Sequence, residues 1–101
     1  MDVIHNRADQ RFEIQLGDGA VAFADYCPTP GKVMFPHTVV PPAHEGQGIA
    51  SALARESLAW ARAEGLQAIP ACSFYARYMV RHPETHDLLS PDDRKALGAS
   101  R

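Results

Sequence analysis

The sequence is short of several things that would announce a function. It has two cysteines, Cys27 and Cys72, too few for a disulfide scaffold or a four-thiolate metal site, so free thiols in a reducing cytoplasmic setting are expected. No apolar run approaches the roughly 20 residues needed to cross a bilayer, and polar Met1 to Phe12 lacks the apolar stretch of a signal peptide, so no membrane partner is expected. Ten Lys and Arg against twelve Asp and Glu give a net charge of −2, which is no footprint for nucleic acid. His5, His37, His44, His82 and His86 are scattered and follow no ligand spacing, so no metal site is expected. At most, His82-Glu84-His86 has a spacing that chelates an adventitious ion. With 101 residues there is room for one domain and one modest core, the stretch from about 85 to 101 reading as a C-terminal extension.

Periodicity supplies what composition does not. Phe12, Ile14 and Leu16 alternate with Arg11, Glu13 and Gln15, predicting a half-buried strand. Gly17-Asp18-Gly19 turns it into a second strand over 20–27, with Ala22, Ala24 and Tyr26 on one face. A third strand is predicted over Lys32 to Val40. Unbroken alternation there puts Val33, Phe35, His37 and Val39 on one face, but Pro36 cannot donate to a ladder and marks an edge, a bulge or a splay.

Pro41-Pro42 ends that strand, and helical spacing of Ile49, Leu53 and Trp60 predicts a helix from about Gly48 to Glu64 capped by Gly65. A short strand over 66–71 and a second helix from Phe74 to Arg81 follow, stopped by His82-Pro83. Ser90-Pro91-Asp92-Asp93 has the form of a helix start, with Ser90 as cap; a frayed extension is the other reading. The fold class is α/β, a mixed antiparallel and parallel sheet packed with two main helices. The helix between Val40 and Leu66 permits a right-handed parallel crossover.

The loop between the third strand and the first helix carries the chemistry. Amides at a helix N-terminus lack intrahelical acceptors and converge on anions, and Gly46 and Gly48 free the backbone to present them. The same residues also suit a purely structural strand-to-helix turn. No Gly-Lys-Ser/Thr sequence and no three-glycine dinucleotide fingerprint is present.

Glu45-Gly46-Gln47-Gly48-Ile49-Ala50 resembles the coenzyme A loop of the GNAT acetyltransferase superfamily, Gln/Arg-x-x-Gly-x-Gly/Ala, with Glu45 departing from the usual Gln or Arg. More narrowly, Asn6, Arg11-Phe12-Glu13, Phe35-Pro36-His37-Thr38, Pro70-Ala71-Cys72, Tyr78 and His82-Pro83-Glu84 resemble the small truncated GCN5-related N-acetyltransferase-like (YjdJ-type) family. The resemblance implies a minimal GNAT-like acyl-CoA N-acyltransferase fold and acetyl-CoA as cosubstrate, with coenzyme A as product. It implies acetyl transfer to an amine-bearing small molecule or a protein lysine. Val39, Val40, Glu45, Gly46, Gln47, Gly48, Ile49, Ala50, Ser51 and Arg55 are the candidate cofactor-binding residues.

Cys72, His37 and Tyr78 are the candidate catalytic residues. Cys72 is read as a nucleophile toward the thioester, as a lining of the acetyl pocket, or as a buried, inert cysteine. His37 is read as a base for the attacking amine, as an aid to Cys72, or as a structural histidine. Tyr78 matches the tyrosine that protonates the departing sulfur in many relatives, or is a core aromatic. Val39 stands where the family pattern has a carboxylate, His-Thr-Glu-Val-Pro. Direct transfer is the leading route, and a coenzyme A-binding or sensing module with altered catalysis is the alternative function. A monomer or weak homodimer is expected, since no heptad or long apolar stripe demands more.

Overall fold

The computed structural model describes residues 1–99, so the last two residues of the expected C-terminal extension lie outside the described residues. Ile4–Asn6 forms β1, Arg11–Gln15 β2 and Val21–Asp25 β3, each antiparallel to the one before. Ala22, Ala24 and Tyr26 are buried, as the alternation predicts. β1 was not foreseen; three residues are too few for a periodicity to register. His5 within it stacks on Phe12 at 4.2 Å and bonds the Tyr26 hydroxyl at 2.6 Å, while Trp60 packs edge-on to His5 at 4.9 Å.

Cys27–Thr29 (β4) and Lys32–Met34 (β5) form a hairpin about Gly31, which takes a left-handed φ of 75° at the turn. Thr38–Val39 is β6, and after a crossover Gln67–Ile69 (β7) pairs parallel with β5. Strands therefore assemble as β1-β2-β3-β6 and β4-β5-β7, two sheets where one mixed sheet was expected.

The division has a local cause. Cys27 pairs with Met34, yet Ala24 pairs with Thr38, so two residues on the first chain face three on the second. The extra residue lies in Phe35-Pro36-His37, where Pro36 has no N–H for the ladder. A one-residue insertion exchanges the faces that follow it. Val33 and Phe35 are buried, whereas His37 and Val39 are exposed and Thr38 and Val40 turn inward. The expected common face for all four odd-numbered residues therefore ends at the bulge.

Ile49–Ala63 (α1) buries Ile49, Leu53, Leu58 and Ala61 in the core. Its end is closed by Gly65 at φ 70°, as the C-cap reading predicts. Ser73–Arg81 (α2) follows β7 and buries Tyr75, Tyr78 and Met79. Tyr75 stacks on Phe35 at 4.6 Å and shares a 2.7 Å hydrogen bond with the Ser57 hydroxyl of α1, so one side chain ties both helices to the residue that follows β5. Pro91–Ala96 (α3) starts at Ser90, whose hydroxyl accepts the Asp93 amide at 3.1 Å. Leu88, Leu89 and Ala99 are buried, so the C-terminal segment packs on the core.

Candidate functional site

Where the bulge turns β6 away, the pairing of β5 with β7 also ends. The Phe35 amide donates to Ile69 and the Cys72 amide to Phe35, and beyond that point β6 is held by β3 alone. A cleft of about 400 Å³ opens there, between β6, the start of α1 and Phe74 of α2. Its size is that of a small-molecule site. Because the His37 carbonyl accepts the Asp25 amide, ladder alternation points the Val39 backbone toward β3. The groups of Thr38 and Val40 then face the split.

The other wall is the glycine loop. Pro42–His44 forms a 3-10 turn, and Gly46 and Gly48 hold φ near 80°. A Cβ at either position meets nothing within 4 Å, so the requirement is conformational rather than spatial. Gly48 is the N-cap of α1; no side chain caps the helix and no carboxylate sits in its first turn. The amides of Ile49, Ala50 and Ser51 thus start the helix without intrahelical acceptors, beside the cleft.

Of the candidate cofactor-binding residues, Val40, Glu45, Gly46, Gly48, Ile49, Ala50 and Ser51 line this cleft. Gln47 stands between them in the loop without lining it, and Val39 is exposed on the opposite face. Arg55 lies elsewhere, 3.6 Å from Glu56 in an exposed pair and lining a second cleft of about 180 Å³ with Tyr78. Burial raises the Tyr78 phenol above its ordinary range, and its ring stacks on His82 at 3.8 Å. Cys72 is half-buried at the N-cap of α2, and its thiol donates to the Thr38 hydroxyl at 3.4 Å. Cys72 therefore stands one side chain behind the wall.

His37 sits on the outer face of the sheet, away from the helices. Its Nδ1 lies 2.9 Å from one Asp25 oxygen, and its backbone amide donates to the other, also at 2.9 Å. Asp25 escaped sequence reading because only strand pairing brings it there. Thr38 on β6, His44 in the turn before the glycine loop and Phe74 in the first turn of α2 also line the cleft and were not among the candidates. His44 Nε2 lies 2.8 Å from the Asp18 carboxylate, tying the glycine loop to the β2–β3 turn. That hydrogen bond raises the His44 pKa and lowers that of Asp18.

The remaining histidines are committed to structure. His82 Nδ1 donates to the Tyr78 carbonyl and His86 Nε2 to that of Met79, both at 2.7 Å, closing the C-terminus of α2. Among the described residues no three His, Cys, Asp or Glu gather to hold an ion, and no helix is long and apolar enough to cross a membrane.

Comparison with known proteins gives concordant matches. A family model described as GCN5-related N-acetyl-transferase matches residues 11–88. Protein NATD1 of Gallus gallus is 34% identical over 88 residues, covering 82% of this chain and 77% of that protein. Protein NATD1 of Mus musculus is 35% identical over 86 residues, covering 80% and 76%, and that of Homo sapiens is 35% identical, covering 80% and 74%.

Proposed function

The chain belongs to the GCN5-related N-acetyltransferase family, and from that membership we propose that it transfers an acetyl group from acetyl-coenzyme A to an amine. One observation carries the choice of donor. The uncapped N-terminus of α1 borders a cleft that runs to the unpaired side of β6, so phosphate and amide-bearing parts of one ligand find matched partners. Ile49, Ala50 and Ser51 amides would hold the pyrophosphate, and the Thr38 and Val40 backbone would meet the pantetheine amides. When bound, the cosubstrate supplies an acyl thioester open to attack by nitrogen.

The acceptor is an amine-bearing small molecule or a protein lysine, and the two free cysteines suit a reducing, cytoplasmic setting. His37 on the outer face is the proton acceptor. Cys72, engaged with Thr38, backs the wall of the cleft from one side chain behind it, and transfer is direct. Tyr78, with its raised pKa, is a proton source for the departing sulfur only if ligand binding brings the second cleft to the first.

Calorimetric titration with acetyl-CoA under reducing conditions, followed by intact-mass analysis with polyamine and peptide acceptors, tests this reading. Micromolar binding and an added acetyl group are expected. No binding sinks the proposal. Binding without turnover favours a coenzyme-sensing module, consistent with Val39 and Glu45 standing where the family pattern has other residues. Cys72→Ala should retain turnover; a hydroxylamine-sensitive adduct lost in that variant would instead establish a covalent route.

A further inference from the structure

The Asp25 carboxylate makes two hydrogen bonds to one residue. In a regular antiparallel ladder the His37 amide would return to the Asp25 carbonyl, because the Asp25 amide already donates to the His37 carbonyl at 3.2 Å. At the bulge the carboxylate takes that amide instead, at 2.9 Å, and its second oxygen lies 2.9 Å from Nδ1. Backbone and ring are thereby fixed to the same group, which removes the free rotation expected of an exposed imidazole.

The chemistry of the pair determines the tautomer. An ionised carboxylate only accepts, so Nδ1 must carry the proton. In the neutral ring, Nε2 then keeps its lone pair. The His37 side chain is 70% exposed, and Nε2 has no hydrogen-bond partner among the described residues. His37 immediately precedes Thr38, which lines the cleft, while its own ring is on the opposite, exposed face of the sheet.

We propose that Asp25 is a positioning residue that holds His37 in the Nδ1–H form and so makes Nε2 the proton acceptor of acyl transfer. The step rests on the acetyl-CoA reading above. The neutral amine attacks the thioester carbonyl, a C–N bond forms and the C–S bond breaks. The surplus proton on nitrogen passes to Nε2, and the coenzyme leaves as thiolate, which takes a proton from water. Asp25 supplies the acidic partner to the histidine that Val39, at its own position, cannot.

A purely structural Asp25 would only pin the bulge, and Asp25→Asn separates the two roles. The amide oxygen still accepts the His37 backbone N–H, while its NH₂ group now donates to Nδ1 and drives the proton to Nε2. This is the wrong-tautomer logic described for the Asp of the serine-protease triad. Long-range ¹⁵N–¹H NMR of the neutral ring should read Nδ1–H in the wild type and Nε2–H in the variant.

With acetyl-CoA and either spermidine or a lysine peptide as probe amines, Asp25→Asn should lower kcat by about 10- to 100-fold. KM for acetyl-CoA should stay within about 2-fold, since the substitution lies outside the coenzyme cleft. Asp25→Glu should restore part of kcat. A wild-type Nε2–H ring, an unchanged tautomer in the variant, or an unchanged kcat with intact binding overturns the proposal alone. Wild-type protein that binds no acetyl-CoA, or binds it without acetylating either probe, overturns the proposal together with the reading beneath it.

Discussion

The stretch from Lys32 to Val40 behaves as two different objects on either side of Pro36. Before it, Val33 and Phe35 are fully buried; Val33 pairs with β4 on one side and β7 on the other, and Phe35 stacks on Tyr75. After it, Thr38 and Val39 pair on one side only, and the other side borders a cleft. The two halves have similar composition. Their difference comes from one inserted residue, so the stability and the ligand site of this fold are separable properties of one strand.

The largest expected effect breaks the closed half. Phe35→Ala removes a fully buried ring and its stack on Tyr75, and should destabilise the protein by about 3–5 kcal/mol in denaturant unfolding. It should abolish ligand binding only as a consequence of unfolding. Deleting Pro36 attacks the other half. With two residues facing two, the register can run through, drawing β6 toward β7. Acetyl-CoA affinity in calorimetry should fall by about 10- to 100-fold, roughly 1.4–2.7 kcal/mol. Retained affinity would show that the bulge does not make the site.

Sequence reading recovered what is local. The β2–β3 hairpin, the glycine loop, α1 with its Gly65 cap and the Ser90 cap are all written within a few consecutive residues. Pro36 announced an interruption, but its outcome as a bulge depended on the registers of β3 and β4 opposite it. Asp25 with His37 and Asp18 with His44 join residues 12 and 26 positions apart, and no motif connects them. Arg55 has two readings in sequence, a phosphate contact one turn into the helix or a solvated charge, and its face of α1 turns to the second cleft.

Two smaller tests sharpen the comparison. Tyr75→Phe removes the hydroxyl shared with Ser57, which keeps its bond to the Ala54 carbonyl. A loss of about 1 kcal/mol in chemical denaturation, with acetyl-CoA binding unchanged, would keep core and cleft distinct. Asp18→Asn should have the smallest effect, because the His44 link lies at the surface.

Its pH dependence is more informative than its size. His44 has a raised pKa in the fold, so its contribution is full below the ordinary histidine pKa and is lost as pH rises through the raised value. Asp18 has a lowered pKa, so its contribution is full above the ordinary carboxylate range and is lost as pH falls through the lowered value. The melting temperatures of wild type and Asp18→Asn should therefore differ in mildly acidic solution and converge at alkaline pH. A constant difference would assign the link a role other than charge pairing.

The brevity of β6 has a consequence for the protein among its neighbours. A strand with one free edge is a template on which another chain can add itself. Here the template is two residues long, fenced by Pro36 on one side and Pro41-Pro42 on the other. Prolines cannot extend a ladder, so an invading strand gains too few hydrogen bonds to hold. The same prolines that bound the site thus act as a guard against aggregation at the point where the sheet is left open.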